Sequence, residues 1–215
     1  MLMCAYLKKG GGGLDILGMI EHMIINVLLA IYQGTFFSVL LSIGWMFLYL
    51  HAFFPESAGD GIKASILLWY RFFKVSNRFR QVFFLVFWIS MILFRTLLNR
   101  DMWVNPIINV LGDWGLTTVD SNGQIIISTE CIENCIMFVP FSYSLSLVYS
   151  GENGIHLIKR TTIISFIFSL SIELVQLFFR LGTFQISDIF YNTLGGLLGS
   201  CSYRLIIYLK NSIDK

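Results

Sequence analysis

Five long apolar stretches constrain this chain more than any other feature of its sequence. A helix needs about 20 mostly apolar residues to cross a hydrocarbon layer of about 30 Å. Five stretches approach or exceed that length between polar or Gly- and Pro-containing linkers: residues 34–54, 81–98, 131–149, 161–179 and 188–209. They predict an all-α fold, a polytopic membrane helical bundle with five transmembrane helices.

A sixth candidate span lies near the N-terminus, at residues 14–33. Its polar residues Asp15, His22, Asn26 and Gln33 fall on one stripe of a helix. The segment either spans with this stripe facing the protein or lies along the membrane interface. Both alternatives stay open, because no loop separates it from the span that begins at residue 34.

Charge is scarce enough to exclude several classes of protein. Charged side chains make up 13% of the 215 residues, against about 25% in soluble domains. This excludes disorder and disfavours a soluble domain, and a net charge of +2 is too small for a nucleic-acid partner. Four cysteines and three histidines show no metal-ligand spacing, so we expect no metal and no cofactor. We expect no removable signal peptide, since no small-residue cleavage site follows a short apolar core.

Basic residues are distributed unequally between the two sides of the predicted membrane. Linkers 55–80 and 150–160 and the segment after residue 209 carry nine Lys and Arg, whereas 99–130 and 180–187 carry Arg100 and Arg180 alone. Because basic loops stay in the cytoplasm, the C-terminus is predicted inside and linker 99–130 outside. We expect a multi-pass protein of the cell membrane, with N-terminal helices and a basic loop at 1–80, a four-helix membrane domain at 81–209 and a cytoplasmic tail at 210–215.

Ionisable and amide side chains gather at the outer ends of the last four spans. Each ionisable group at bilayer depth costs about 2.5–3.5 kcal/mol on insertion scales, so each needs a structural or functional reason. Hydrogen bonds between helices, worth about 0.6 kcal/mol each, do not explain why several such groups share one depth, whereas a head-group site does. The predicted ligand-binding residues are Arg95, Arg100, Asn134, Glu173, Gln176, Arg180, Asp188 and Asn192.

Structural roles compete with this interpretation. Glu173 can pair with Arg95 or Arg180 as a contact between helices. Asp188 fits equally well as the N-cap of a helix that starts at Ile189.

Two further features indicate helix packing and helix shape. Gly195, Gly196 and Gly199 have the spacing of a close helix-packing face. Pro140 interrupts the hydrogen-bond ladder of the third span, which predicts a bend and can open room beside Glu173.

No assembled catalytic motif is present, so we assign no catalytic residue. An enzyme would have to use Glu173 and Asp188 as a carboxylate pair, with an arginine holding the polar head of its substrate.

The C-terminal half carries strings that resemble a known family. They are Ile172-Glu173-Leu-Val-Gln176, Phe184-Gln-Ile-Ser-Asp188-Ile189 and Asn192-Thr-Leu-Gly195-Gly196 with Gly199, and upstream Glu133-Asn134, Phe138-Val-Pro140-Phe141 and Thr96-Leu-Leu-Asn-Arg100. Together they resemble the VanZ-like family, named for a bacterial teicoplanin resistance protein, over residues 81–209. The resemblance implies an integral membrane protein linked to low-level glycopeptide resistance. It singles out Arg100, Asn134, Glu173, Gln176, Asp188 and Asn192.

Two hypotheses for function follow from the depth of the polar residues and from the resemblance. The first is a non-enzymatic protein whose outer polar pocket binds an amphiphile. Its expected partners are membrane lipids and either a lipid-linked cell-wall precursor or the acyl-bearing end of a lipoglycopeptide. The second is an enzyme that modifies such a lipid-linked substrate at the outer face, using Glu173 and Asp188.

The charge asymmetry predicts the sidedness of the two longest linkers in the C-terminal part. In a cysteine-free background, a cysteine at position 118 should react with an impermeant thiol reagent on intact cells. A cysteine at position 155 should react only after permeabilisation. The opposite pattern would overturn the predicted orientation.

Overall fold

The computed structural model describes residues 16–55, 61–98, 105–115, 117–119, 125–127, 129–151 and 154–213. Two short strands, β1 (Thr117–Val119) and β2 (Ile125–Ile127), pair antiparallel with Thr118 opposite Ile126. A π-helical turn, Phe94–Leu98, directly follows the third helix. The helices are α1 (Ile16–Phe53), α2 (Ile62–Val75), α3 (Asn77–Leu93), α4 (Glu130–Val148), α5 (Gly154–Phe179) and α6 (Ile186–Ile213).

The helical membrane bundle predicted from the sequence is confirmed. Within the described residues, four segments are long and apolar enough to cross a membrane: Ile24–Phe53, Asn77–Leu98, Glu130–Val148 and Gly154–Phe179. The fifth predicted span corresponds to α6, whose 28 residues are long enough but are less apolar. Because α6 packs against both α4 and α5, its three glycines and the polar side chains of Asp188, Asn192 and Ser200 are buried, and fewer apolar residues are needed to meet lipid.

The sixth candidate span is continuous with the first predicted span. From Ile16 onward both belong to α1, a single helix of 38 residues, which at 1.5 Å per residue is about 57 Å long. Its length therefore exceeds the hydrocarbon layer of about 30 Å. The Asn26 side chain donates a hydrogen bond to Thr129 Oγ1 at 3.1 Å, so the polar stripe faces the protein at this residue.

The predicted basic loop at 55–80 contains a helix that the sequence analysis did not anticipate. Helix α2 has 14 residues, too few to cross a membrane. Its side chains Trp69, Phe72 and Phe73 pack against buried Phe79 of α3. Arg80 donates to the carbonyl oxygens of Phe73 and Lys74 at the end of α2, where a cation also opposes the negative end of the helix dipole.

Helix α6 approaches both of its neighbours at glycine. A Cβ added to Gly195 or Gly199 would overlap a backbone carbonyl oxygen of α4, that of Cys135 or Val139. A Cβ added to Gly196 would overlap the Ser165 side chain of α5. Such close approach lets many backbone and side-chain atoms make contact. These contacts favour association of helices in a membrane, where burying apolar surface against another helix gains little because lipid is equally apolar.

Many buried side chains in the bundle carry hydroxyl groups, and many large apolar side chains lie on its surface. The hydroxyl-bearing residues Ser38, Ser42, Ser146, Thr161 and Ser165 are fully buried, and each of the last four donates to a carbonyl oxygen one turn earlier. Large apolar side chains on the surface are widely exposed, including Phe36, Leu48, Phe178 and Leu205. This distribution is the one that a lipid solvent favours.

The packing of α6 predicts a position-dependent effect of a single methyl group. Gly195→Ala should lower the melting temperature of the purified protein in detergent, because the new Cβ would meet the Cys135 carbonyl. Gly44→Ala on α1 is the matched control, since nothing lies within 4 Å of its added Cβ, and alanine favours the helix by about 1 kcal/mol. Equal melting temperatures for the two variants would contradict this role of Gly195.

Candidate functional site

Two polar clusters lie at one end of the bundle, which we call the loop end because it carries the turn Phe94–Leu98 and residues 105–115. The Arg95 cluster contains Asn26, Arg95, Thr129 and Glu133. The Glu173 cluster contains Thr96, Ser169, Glu173, Gln176, Asp188 and Asn192. Adjacent residues of the π-helical turn, Arg95 and Thr96, belong to different clusters. The turn therefore connects them, and π-helical turns of this kind are often found at functional sites.

The Arg95 cluster is a chain of hydrogen bonds across three elements. Arg95 Nη2 lies 2.7 Å from Glu133 Oε2 in an ion pair. The other oxygen, Glu133 Oε1, accepts from Thr129 Oγ1 at 2.6 Å, and Thr129 accepts from Asn26 of α1. Both carboxylate oxygens of Glu133 are thus engaged. Arg95 therefore pairs with Glu133 and not with Glu173, because Glu133 lies in the first turn of the facing helix α4, within reach of the Arg95 guanidinium.

The Glu173 cluster is built on one face of α5. Ser169, Glu173 and Gln176 follow one another at helical spacing, and Glu173 and Gln176 are both 2% exposed. Glu173 Oε2 accepts from the backbone N–H of Gln185 at 2.8 Å, which holds the connection between α5 and α6. Gln176 Nε2 donates to the Thr96 carbonyl oxygen at 2.8 Å, satisfying a carbonyl at the end of the π-helical turn.

Helix α6 supplies the opposite side of the Glu173 cluster. Asn192 Nδ2 donates to Ser169 Oγ at 2.9 Å, and Asp188 is 9% exposed in the first turn. The interpretation of Asp188 as an N-cap is wrong, because α6 begins at Ile186 and Asp188 lies inside the helix. The sequence predicted a later start for α6, because the residues around Asp188 do not reveal that a loop distant in sequence supplies hydrogen-bond acceptors to the first turn.

That loop, residues 105–115, fixes the beginning of α6. The backbone N–H groups of Ile186 and Ser187 donate to the carbonyl oxygens of Val110 and Leu111, at 2.9 and 3.3 Å. These are first-turn donors that have no partner within the helix. The indole of Trp114 packs against Phe190 and Tyr191, so the loop is attached to α6 by both backbone and side chains.

Two buried acceptors in the Glu173 cluster have no hydrogen-bond partner. They are Gln176 Oε1 and Asn192 Oδ1, in side chains 2% and 4% exposed. Leaving a buried polar atom unpaired costs about 1–3 kcal/mol, so each such atom needs an explanation. Among the described residues the other buried side-chain atoms of this kind are Trp69 Nε1, Ser142 Oγ and Thr162 Oγ1, outside the cluster.

The remaining predicted site residues do not enter the contacts above. Arg180 is exposed just after α5 with a φ of 57°, in the left-handed region, and the Leu181 N–H beyond it donates to the Gln176 carbonyl. This is the hydrogen bond of a helix C-cap, a place where glycine is usual. Asn134 is half-buried on α4. Arg100 lies outside the described residues, as do Asp15 and the His22 side chain.

Several members of the clusters were missed in the sequence analysis. Glu133 stands next to Asn134 in the string that resembles the family, but only Asn134 is among the predicted ligand-binding residues. Ser169 could have been found, because it lies one turn before Glu173 on the same helix face. Thr96 contributes a backbone carbonyl, and no side-chain pattern identifies such a group.

The ion pair at the loop end predicts a non-additive pair of substitutions. Arg95→Gln should destabilise the protein by about 1–3 kcal/mol, because it leaves the buried Glu133 carboxylate without its charged partner. Replacing both residues by glutamine should restore most of that stability, since no uncompensated charge remains. Melting temperatures in detergent measure both effects, and a double variant no more stable than Arg95→Gln would refute the coupling.

Comparison with known proteins identifies the family. A family model described as VanZ/LLP1 matches residues 64–208, which begins earlier than the resemblance at residue 81 and includes most of α2. Protein VanZ of Enterococcus faecium is 37% identical over 76 residues, covering 35% of this chain and 45% of that protein. The match therefore spans less than half of that relative, and no solved structure matches the chain. Because the family model covers more than half of its length, the chain belongs to the VanZ/LLP1 family.

Proposed function

We propose that this membrane protein acts in teicoplanin-type glycopeptide resistance, and that its Glu173 cluster binds the polar head of an amphiphile. The observation that carries the binding proposal is the pair of buried, unpartnered amide oxygens, Gln176 Oε1 and Asn192 Oδ1. Membership of the VanZ/LLP1 family and the partial similarity to Protein VanZ support the resistance role.

The unpartnered atoms indicate the chemistry of the ligand. Gln176 is oriented by the bond from its Nε2 to the Thr96 carbonyl, and Asn192 by the bond from its Nδ2 to Ser169. Each amide therefore presents its oxygen, which can only accept a hydrogen bond. A ligand head with hydroxyl, amide N–H or ammonium donors would satisfy both oxygens and recover the cost of burying them.

The position of the Glu173 cluster and the lipid around the bundle favour an amphiphile over a water-soluble ligand. The cluster lies near the loop end of helices whose other surfaces are apolar and exposed, so a ligand that reaches it from the bilayer keeps its own apolar part in lipid. A lipid-linked cell-wall precursor and a lipoglycopeptide both combine such a part with a donor-bearing head. The alternative remains an enzyme acting on the same substrate class, with Glu173 and Asp188 at the reacting group.

One substitution separates a binding role from a structural one. Asn192→Leu removes the unpartnered oxygen and replaces a polar side chain by an apolar one of similar size. If the oxygen binds a ligand, the minimal inhibitory concentration of teicoplanin should fall to that of cells lacking the protein. The melting temperature of the free protein should change little, because loss of the buried Asn192–Ser169 hydrogen bond is offset by removal of the unsatisfied oxygen.

The matched control is Ser171→Ala on the exposed face of α5, where the hydroxyl donates only to the Ile167 carbonyl of its own helix. This variant should retain both resistance and stability. Full resistance in Asn192→Leu would contradict the proposed binding role of the oxygen.

A second experiment distinguishes binding from catalysis. Glu173→Gln removes the charge and keeps the shape, and we expect normal expression with loss of resistance. Wild type and variant are incubated in detergent with a total lipid extract, and retained lipids and new lipid species are followed by mass spectrometry. A lipid retained only by wild type, without a new product, supports the binding protein. A product that forms with wild type and disappears in Glu173→Gln would replace it by the enzyme.

A further inference from the structure

An apolar groove lies between α1, α3 and α4, away from the Glu173 cluster. Its volume is about 200 Å³, larger than the engineered apolar cavities of about 150 Å³ that stay dry and bind benzene. Ile136 at its rim is 40% exposed, so the groove is reached from the surface of the bundle. The lining residues are all apolar: Ile31, Trp88, Ile136, Met137, Val139 and Pro140.

Pro140 contributes to this lining. The break at Pro140 can open room beside Glu173 or be only a bend, and the groove that Pro140 lines is on the side of α4 that faces Ile31 and Trp88. Helix α4 nevertheless runs through Pro140 from Glu130 to Val148. The sequence could not show on which side of α4 the groove lies, because the hydrophobic pattern of α4 does not identify which helix packs against each of its faces.

The groove and the Arg95 cluster are carried by the same three helical segments. Moving away from the loop end, Ile31 follows Asn26 by five residues, Met137 follows Glu133 by four, and Trp88 precedes Arg95 by seven. At 1.5 Å per residue, the lining begins about 6–11 Å below the polar residues. On α3 and α4 the polar residue and the lining residue are seven and four residues apart, close to whole helical turns, so they share one helix face. On these two walls a polar group therefore lies above the apolar groove, which is the arrangement of a lipid head above its chain.

Of the two charged side chains above the groove, Arg95 is the more exposed to solvent. The Arg95 side chain is 33% exposed, whereas that of Glu133 is 9% exposed. Only one of the five N–H donors of Arg95 is needed for the bond to Glu133. The others can reach an acceptor from outside, and guanidinium matches phosphate oxygens in geometry and charge.

We propose that the groove binds one acyl chain of a phospholipid, the lipid that surrounds the bundle, and that the phosphate is held by Arg95. This site is separate from the Glu173 cluster, and its existence does not depend on the function proposed for that cluster. A lipid-linked wall precursor also carries a phosphate on a long apolar chain and is the competing occupant that the test must exclude.

Photo-crosslinking of the full chain tests the site. The purified protein in detergent is titrated with three probes that carry a diazirine in the chain: a phosphatidic acid, a prenyl phosphate and a neutral diacylglycerol. Crosslinked peptides are then mapped by mass spectrometry. We expect saturable labelling at residues 31, 88 and 136–140 with a phosphate probe, and weaker labelling with diacylglycerol. Saturation by phosphatidic acid supports the proposal, whereas saturation by the prenyl phosphate alone would overturn the assignment to a phospholipid.

Two variants with matched controls complete the design. Ile136→Trp should fill the groove and abolish saturable labelling, whereas Ile163→Trp, on α5 at a site 46% exposed, should leave it unchanged. Replacing Arg95 and Glu133 together by glutamine should raise the half-saturating concentration of the phosphate probe about tenfold and leave that of diacylglycerol unchanged. Labelling that never saturates, or that resists Ile136→Trp, would overturn the proposal.

Discussion

The close contact of α6 with α4 and α5 is the interaction on which the rest of the loop end depends. Helices in lipid gain little from hydrophobic burial against one another, so they associate through packing at small residues. Gly195 and Gly199 bring α6 against the α4 backbone, and Gly196 brings it against Ser165 of α5. This contact places Asn192 beside Ser169 and thereby closes one side of the Glu173 cluster.

The π-helical turn Phe94–Leu98 divides the polar residues between two environments. Arg95 extends to Glu133, in a partly exposed pair, while the next residue offers its carbonyl to Gln176 in the buried cluster. The first environment presents cationic donors above an apolar groove, and the second presents unpartnered acceptors. The two proposed sites therefore differ in the chemistry they accept, although both lie at the loop end of one small bundle.

Much of the fold could be predicted from local sequence. Helices α3 to α6, with the π-helical turn after α3, correspond to the last four predicted spans, because long apolar runs and helical periodicity are properties of consecutive residues. The N-terminal part was less predictable. From Ile16 onward the candidate segment continues without interruption into the next span as α1, and the amphipathic α2 lies within a stretch whose basic residues suggested a loop. Arg100 and Asn134 remain predictions, since the contacts described at the loop end test neither.

The sequence by itself determined which residues are costly in a membrane, and that Glu173, Gln176, Asp188 and Asn192 lie near one depth, since helical rise converts residue number into depth. Only the tertiary structure decided their partners. Arg95 pairs with Glu133. The 105–115 loop supplies acceptors to the first turn of α6, so that this helix begins before Asp188. The groove at Pro140 lies on the side of α4 that faces Trp88. Each of these outcomes depends on which faces of distant helices meet, and the pattern within a single helix does not contain that information.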